Sequence, residues 1–249
     1  MSSPEPLVRF YDLSGPKTWS PACWSTRYAL NYKGIPYSIT KLSYPAIRPT
    51  CEKLFPDMTG LEATVPIIEI LGPNHKALNN STPIAELLNE RFTEEAGYKH
   101  LKGIEEVKKY EAETASLGLA LLRWVIQDVW ENALDPNDGS REYFKKTREA
   151  VFNCELKDVT ELRGGGEAAV IEDIKKAWAL LRDRMKGEDG TGEPTYLDFY
   201  DAARVKWIEA SSTEKHAKLM NLYGDDTFTK LMKKVEKYTM MKGKLSRGL

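Results

Sequence analysis

A serine and a proline, Ser20-Pro21, stand at the start of an amphipathic run that ends in Lys33-Gly34. Serine is a preferred helix N-cap, proline is tolerated at the first helical position, and glycine commonly follows a helix C-terminus. The spacing therefore predicts a helix with Ser20 at its N-terminus. Such a terminus carries partial positive charge and unpaired N–H groups, so it favours an anion. Ser20 could be a cap only, or it could also donate a hydrogen bond to a bound thiolate.

The interactions at such a terminus are strong enough for the second role. Lowering the pKa of a thiol from ~8.5 by about two units requires roughly 2.7 kcal/mol. A helix terminus supplies about 0.3–1 kcal/mol, and up to ~2 kcal/mol in favourable geometry. A hydrogen bond to a charged group adds roughly 1.5–3 kcal/mol. A thiol could therefore be ionised beside Ser20 without a general base.

Other catalytic and metal-binding patterns fail in this sequence. The three histidines, His75, His100 and His216, are isolated from one another and from the cysteines, so no metal site is predicted. With no recognisable base for Ser20, a Ser-His-Asp mechanism is disfavoured. The glycine-rich stretch RGGGEAA lacks the Gly-Lys-Ser/Thr ending of a phosphate-binding loop, which indicates a linker.

Composition limits the kinds of partner that this chain could have. Its 249 residues carry a net charge of −1, which gives no overall attraction to nucleic acid, although the last twenty residues are locally basic. That basic stretch is typical of a helix with a solvated lysine face. No signal peptide and no membrane-spanning apolar run are visible, and three widely spaced cysteines suggest no disulfide framework. We expect a soluble cytoplasmic protein that binds neither nucleic acid nor membrane.

The elements that would position Ser20 follow from the periodicity of the chain. Short apolar runs alternate with helical ones over the first ninety or so residues, in the order β-α-β-α-β-β-α, with Ser81 as the cap of the last helix. Strand signals nearly vanish after about Glu95, and the remaining segments have helical periodicity. The sequence thus predicts an α/β domain with a mixed sheet over residues 1–94 and an all-helical domain over residues 95–249.

Several stretches together resemble one family, the glutathione transferases. SPACWSTRYALNYKGIPY resembles their first active-site helix, and ATVPIIEI resembles the strand that begins with a cis-proline, here Pro66. NNSTPIAELLNE and EPTYLDFYDAARVKWIEA are similar to the γ-glutamyl-binding segment and the capped core helix of that family. The resemblance covers essentially the whole chain and implies a thioredoxin-like domain followed by an all-α bundle. Within the family, the chain looks most like fungal serine-type enzymes related to bacterial β-etherases.

The resemblance implies roles for individual residues and a co-substrate. Glutathione would be bound with its thiolate stabilised by Ser20. The backbone of Val65, before Pro66, would pair with the cysteinyl part of glutathione. Ser81 and its helix N-terminus would hold the γ-glutamyl carboxylate, and Lys53 could add a contact. The resemblance also implies a homodimer and no metal.

Four positions near these residues have less certain roles than Ser20. Asn80 stands where the family usually has an acid that receives the γ-glutamyl ammonium, and an amide offers no charge there. Cys23, one turn after Ser20, occupies the place of the second cysteine in redox-active relatives; without a cysteine at position 20, a buried structural thiol is favoured. Trp19 and Trp24 flank Ser20 and could line a second-substrate pocket, although aromatic core filling is the default.

Three functions remain open from the sequence. The favoured one is an enzyme that conjugates glutathione to a hydrophobic, aromatic electrophile, or cleaves an ether or ester of one. The second is a non-catalytic, ligandin-like carrier of hydrophobic aromatic compounds with weak glutathione affinity, which Asn80 favours. The third is a glutathione-dependent thiol exchange enzyme that uses Cys23, which the serine at position 20 disfavours.

Overall fold

A computed structural model describes residues 5–57 and 62–240 of the chain. The last residues of the basic C-terminal stretch, 241–249, lie outside the described residues. The first half contains a four-stranded mixed sheet with three helices: β1 Val8–Leu13, α1 Pro21–Lys33, β2 Tyr37–Leu42, α2 Tyr44–Leu54, β3 Ile67–Ile70, β4 Lys76–Asn79 and α3 Ser81–Arg91.

The sheet has the strand order β2-β1-β3-β4. β1 and β2 are parallel, with Phe10 opposite Ile39, whereas β1–β3 and β3–β4 are antiparallel. This is the thioredoxin-like β-α-β-α-β-β-α arrangement, and it confirms the predicted element order. β1 and β3 lie at the centre of the sheet, and every residue of β3 is buried.

Helix α1 begins and ends at the predicted signals. Ser20 is its N-cap and Pro21 its first residue, and Gly34 follows the last turn with φ 73°. Gly34 uses this left-handed conformation to donate its N–H to the carbonyl of Asn31 at 3.2 Å. The bounds of α1 are therefore set by local sequence.

A buried charge cluster holds α1 against the sheet. The Asp12 carboxylate on β1 is fully buried and accepts hydrogen bonds from Arg27 Nη2 at 2.8 Å and Lys41 Nζ at 2.7 Å. The Arg27 guanidinium lies over the rings of Phe10 and Trp24 at 5.6 and 5.5 Å. This cluster of three charged residues joins β1, α1 and β2, and no local pattern in the sequence predicts it.

The second half is helical throughout the part that the structure describes. Its elements are α4 Ile104–Glu113, α5 Ala115–Asp128, a π-helical turn Val129–Ala133, α6 Ser140–Phe152, a 3₁₀ segment Leu156–Arg163, α7 Gly166–Ala177, α8 Ala179–Met185, α9 Tyr196–Ser211, α10 Thr213–Met220, α11 Thr227–Val235 and a 3₁₀ turn Glu236–Tyr238. Helix α9 begins with a capping box in which the Asp198 carboxylate accepts the N–H of Thr195 at 2.9 Å.

The two halves pack through α1 and α9. The Tyr28 ring stacks on Phe199, with ring centroids 5.2 Å apart. Lys33, in the last turn of α1, is buried and donates to Asn89 Oδ1 at 2.9 Å and to the carbonyl of Lys99 at 2.6 Å. These bonds tie α1 to α3 and to the connection between the halves. The predicted boundary between residues 94 and 95 falls in that connection and stays a prediction.

Candidate functional site

A cleft of about 420 Å³ lies between the two halves at the N-terminus of α1. The first half contributes the start of α1, helix α2 and the segment that precedes β3. The second half contributes residues of α5, the π-helical turn, α6 and α9. Ser20, Val65 and Trp19, three of the residues predicted for the site, line this cleft.

The Ser20 side chain is held by the helix that it caps. Ser20 is only 6% exposed, and its Oγ accepts the backbone N–H of Cys23 at 3.4 Å. An accepted bond leaves the hydroxyl proton of a serine free to be donated elsewhere. Because Ser20 lines the cleft, the arrangement can present one O–H donor and the positive end of α1 to a bound anion.

The segment before β3 supplies backbone groups to the same cleft. The Val65–Pro66 peptide bond is cis. The ladder of β3 begins only at Ile67, so the backbone of Val65 lies outside the sheet hydrogen bonds that join β3 to β1 and β4. Val65 lines the cleft and is therefore placed to pair with an extended ligand.

The start of α3 differs from the prediction that Ser81 is its cap. Asn80 is the N-cap residue, since its carbonyl accepts the N–H of Ile84 at 3.0 Å, and Ser81 is the first helical residue. Asn80 adopts φ 73°, a conformation that asparagine tolerates better than most residues, and its side chain makes no cap hydrogen bond. Its N–H donates to the carbonyl of Pro66 at 3.1 Å. Neither Asn80 nor Ser81 is among the residues that line the cleft.

Cys23 faces the interior and not the cleft. It is completely buried, and burial together with the nearby charge of Asp12 raises the pKa of its thiol well above the usual value, although the Ser20 hydroxyl opposes this. A thiol held in its protonated form is a poor nucleophile. This environment agrees with the structural role that the sequence favours.

The remaining predicted site residues lie in different places. Trp19 lines the cleft, and its indole N–H donates to the carbonyl of Ser14 at 3.3 Å. Trp24 lies at a separate depression that Lys206 also lines, so the structure does not bring it to the cleft. Lys53, in the last turn of α2, is exposed and is not a cleft residue.

An aromatic wall, to which both halves of the molecule contribute, lines the cleft. The Tyr44 ring, at the start of α2, stacks on Tyr143 with centroids 5.9 Å apart and meets Phe144 edge-on at 5.7 Å. Trp19 packs against Tyr44 at 6.3 Å. The Arg148 guanidinium lies 5.0 Å from the Phe144 ring centroid and 5.7 Å from that of Tyr44.

One signal in the sequence could have identified half of this wall. Phe144 and Arg148 are four residues apart on α6 and so share one helix face. Their partner Tyr44 lies about a hundred residues earlier, and only the packing of α2 on α6 brings it close. Burial raises the pKa of Tyr44 to about 12, although the charge of Arg148 opposes this. The Tyr44 hydroxyl therefore stays protonated at neutral pH.

The described residues contain neither a cluster of metal ligands nor a membrane-spanning helix. Within residues 5–57 and 62–240, no group of three His, Cys, Asp or Glu side chains is arranged to hold a metal ion. No helix in the described part of the chain is both long and apolar enough to cross a membrane.

Comparisons with known proteins give one family for both halves. Residues 19–91 match the glutathione S-transferase N-terminal domain, and residues 110–238 match the glutathione S-transferase C-terminal domain. The glutathione S-transferase-like protein ustS of Aspergillus flavus is 28% identical over 230 residues, which cover 83% of this chain and 80% of that protein.

Solved structures have the same fold. Glutathione transferase GSTFuA3 from Phanerochaete chrysosporium superposes with a TM-score of 0.78 at 22% identity, covering 95% of this chain and 98% of that one. A glutathione S-transferase from Ceriporiopsis subvermispora, solved in complex with glutathione, gives a TM-score of 0.78 at 24% identity over 94% of this chain and 98% of that one. The family matches together span both the sheet half and the helical half. This chain belongs to the glutathione S-transferase family.

Proposed function

We propose that this protein is a glutathione transferase of the serine type, in which Ser20 stabilises the glutathione thiolate. The observation that carries this proposal is the position of Ser20 at the N-terminus of α1, on the wall of the cleft between the halves. Its hydroxyl oxygen accepts from the Cys23 N–H, and its proton can turn from the neighbouring Cys23 thiol to an anion bound in the cleft. A sulfur anion placed there meets both the hydroxyl and the helix N-terminus.

The proposed chemistry is a nucleophilic displacement. The glutathione thiol loses its proton to water because Ser20 and the start of α1 stabilise the anion. The thiolate attacks an electrophilic carbon, a carbon–sulfur bond forms, and the bond to the leaving group breaks. The leaving group departs with the bonding electron pair. No protein base takes part in this sequence.

Glutathione itself would be held by groups on either side of Ser20. The backbone of Val65, which lies outside the sheet ladder and whose carbonyl accepts the Thr64 hydroxyl at 3.3 Å, pairs with the cysteinyl part of glutathione. The N-terminus of α3, with Ser81 in its first turn, receives the γ-glutamyl carboxylate beside the exposed Asn80. Lys53 lies exposed in the last turn of α2, and its long side chain would have to extend across that helix to contact glutathione. The homodimer that the family resemblance implies is part of the same proposal.

The second substrate would be an aromatic electrophile bound against the wall of Tyr44, Tyr143 and Phe144. Planar rings pack well against such side chains in offset or edge-on geometry. Ether cleavage of the β-etherase kind fits this cleft as one reaction of that class. In that reaction the glutathione sulfur forms a bond to the substrate carbon, the carbon–oxygen bond of the ether breaks, and a phenoxide leaves with the electron pair.

A non-catalytic carrier of aromatic compounds is the second candidate, and Asn80 favours it. An amide cannot supply the negative charge that would pair with the γ-glutamyl ammonium, so glutathione affinity would be weak. A carrier binds aromatic compounds in the same cleft but shows no conjugation. Turnover with an activated chlorodinitrobenzene therefore separates the two functions.

Steady-state kinetics of Ser20→Ala test the proposal. Removing a hydrogen bond to the thiolate should lower kcat by about 100-fold, equivalent to roughly 2.7 kcal/mol in the transition state. Glutathione affinity should change little, because Val65 and the start of α3 remain. The variant also loses a helix cap, which costs about 1 kcal/mol of folding free energy.

Ser212→Ala is the matched control. Ser212 caps α10 in the same manner, accepting the N–H of Lys215 at 3.3 Å, and it is not a cleft residue. Its variant should lose a similar amount of stability and keep wild-type kcat. If both variants keep their activity, Ser20 is a cap only and the proposed mechanism is wrong.

A further inference from the structure

Arg148 is a cation in the cleft that forms no ion pair with any residue the structure describes. Its side chain extends from α6 into the lining of the cleft, where it meets the Tyr44 hydroxyl, and its Nη1 donates to the hydroxyl of Thr147 at 3.0 Å. Among the described residues no carboxylate lies within ion-pair distance of Arg148. Its neighbour Glu149 is instead 3.9 Å from Lys145 and accepts the N–H of Leu156.

The guanidinium is held in place by rings on both sides of the cleft. It lies over Phe144 of the helical half and Tyr44 of the sheet half. Contacts of this kind fix an arginine without consuming its N–H donors, which remain free for a ligand. A free, positioned guanidinium is suited to bidentate recognition of a carboxylate.

The other charges around the cleft do not cancel that of Arg148. The lining includes one more cation, Arg48, and one acid, Glu62. Arg48 is largely exposed and only 3.9 Å from Glu52, a weak surface pair. The aromatic part of the cleft is therefore positively charged at its Arg148 end.

Ser20 and Arg148 line the same cleft, and a series of aromatic contacts connects them. Trp19, next to Ser20, packs on Tyr44, and Tyr44 in turn contacts Arg148. A flat compound lying along these rings would bring one end to the sulfur and the other end to the guanidinium.

We propose that the acceptor substrate is an aromatic electrophile that carries a carboxylate, and that Arg148 is the residue that selects for this group. This inference rests on the proposed transferase function for its reaction, but not for its binding preference. The reacting carbon lies near Ser20, and the carboxylate pairs with Arg148. The carboxylate takes no part in bond making, so the displacement balances as described above.

The test uses two electrophiles of similar shape, one anionic and one neutral, and each catalysed rate is compared with the uncatalysed reaction of the same compound with glutathione. One is a chloronitrobenzoate with chlorine ortho to the nitro group, and the other is the corresponding chloronitrobenzamide. Glutathione displaces chloride from both. The wild-type protein should prefer the benzoate in kcat/KM, and Arg148→Met should reduce this preference about tenfold, the effect of losing one hydrogen bond to a charged group. The loss should be in KM for the benzoate and not in KM for glutathione.

Two further variants separate charge from position. Arg148→Lys should restore part of the preference, because it returns the charge without the bidentate geometry. Lys146→Met is the control, since it removes an exposed cation from the same helix outside the cleft lining. That control should keep the wild-type preference.

Equilibrium binding distinguishes failure of this inference from failure of the transferase function. Both nitroaromatics quench tryptophan fluorescence, so their dissociation constants can be measured without turnover. A benzoate preference that Arg148→Met abolishes, in a protein that shows no conjugation, supports the ligand class and refutes the transferase function. Equal affinity for the two compounds overturns the inference. It is also overturned if the preference survives in Arg148→Met, or if that variant mainly raises KM for glutathione.

Discussion

Two helix N-termini in the sheet half, those of α1 and α3, were both predicted to face an anion with a serine as the cap. At α1 the serine is the cap: Ser20 accepts the Cys23 N–H and lines the cleft. At α3 the cap position belongs to Asn80, and Ser81 is already inside the helix. At α1 the serine therefore caps the helix and lines the cleft. At α3 the serine follows the cap residue and makes no cap hydrogen bond.

Substitutions of Ser20 and of Ser81 should therefore differ in their effects on stability and on ligand binding. A change at Ser20 removes a cap and a ligand contact together, so its effects on stability and on chemistry must be separated by a control. A change at Ser81 removes no cap hydrogen bond, but it removes a buried hydroxyl, so its effect on stability is judged against the buried hydroxyl of Thr82 beside it.

The largest stability effect is expected from Asp12, which anchors α1 to the sheet. Asp12→Asn leaves Arg27 buried without its charged partner, and breaking one side of a buried pair costs about 3–5 kcal/mol. Denaturant unfolding measures this loss. Asp173→Asn breaks a surface pair with Arg163 and should cost about 0–1 kcal/mol. Equal losses in the two variants would mean that the buried cluster does not hold α1.

Ser81→Ala should weaken glutathione binding without unfolding the protein. Losing one hydrogen bond to a carboxylate raises the dissociation constant for glutathione about tenfold or more. Calorimetry measures the affinity, and thermal unfolding measures the stability. The adjacent Thr82→Val removes a buried hydroxyl at the same helix start and should leave glutathione affinity unchanged. Unchanged affinity in Ser81→Ala would place the γ-glutamyl carboxylate elsewhere.

Asn80→Asp should make the start of α3 a better glutathione site. The added charge pairs with the γ-glutamyl ammonium and also lies at the positive end of a helix, where an acid gains about 0.3–1 kcal/mol. We expect several-fold tighter binding, roughly the size of one exposed ion pair. Asn80→Ala, which adds no charge, should not improve affinity. If Asn80→Asp binds glutathione no better, position 80 does not meet the ammonium.

The smallest effect is expected at Cys23, next to the first of the two helix starts. Since burial raises the pKa of this thiol, it stays protonated at neutral pH, and raising the pH within the neutral range should not expose a reactive thiolate. Cys23→Ala should keep wild-type kcat, and the folded wild-type protein should resist alkylation at Cys23. A large activity loss in a folded Cys23→Ala variant would favour thiol exchange.

The sequence was sufficient where the determinants are local. Ser20, Pro21 and Gly34 set the bounds of α1 by themselves, and the element order of the sheet half followed from short apolar runs. The cap of α3 could not be predicted in this way, because the positive φ of Asn80 goes with a hydrogen bond to Pro66 across the fold.

Contacts between distant segments account for what the sequence did not reveal. Asp12 meets Arg27 and Lys41 across 15 and 29 residues of chain, and nothing in an apolar strand marks its aspartate as buried. Tyr44 and Arg148 belong to different halves of the molecule. The first pairing positions α1, and the second shapes the cleft, so part of the candidate site depends on tertiary packing alone.

The most direct test of the role of Ser20 is the thiol pKa of bound glutathione, measured by ultraviolet thiolate absorbance across pH. Wild type and Ser212→Ala should lower this pKa by about two units relative to the free thiol, and Ser20→Ala should lose most of that shift. A lowered pKa that persists in Ser20→Ala would contradict activation by Ser20. Saturable glutathione binding with no lowered pKa in the wild-type protein would contradict the transferase function and favour the carrier.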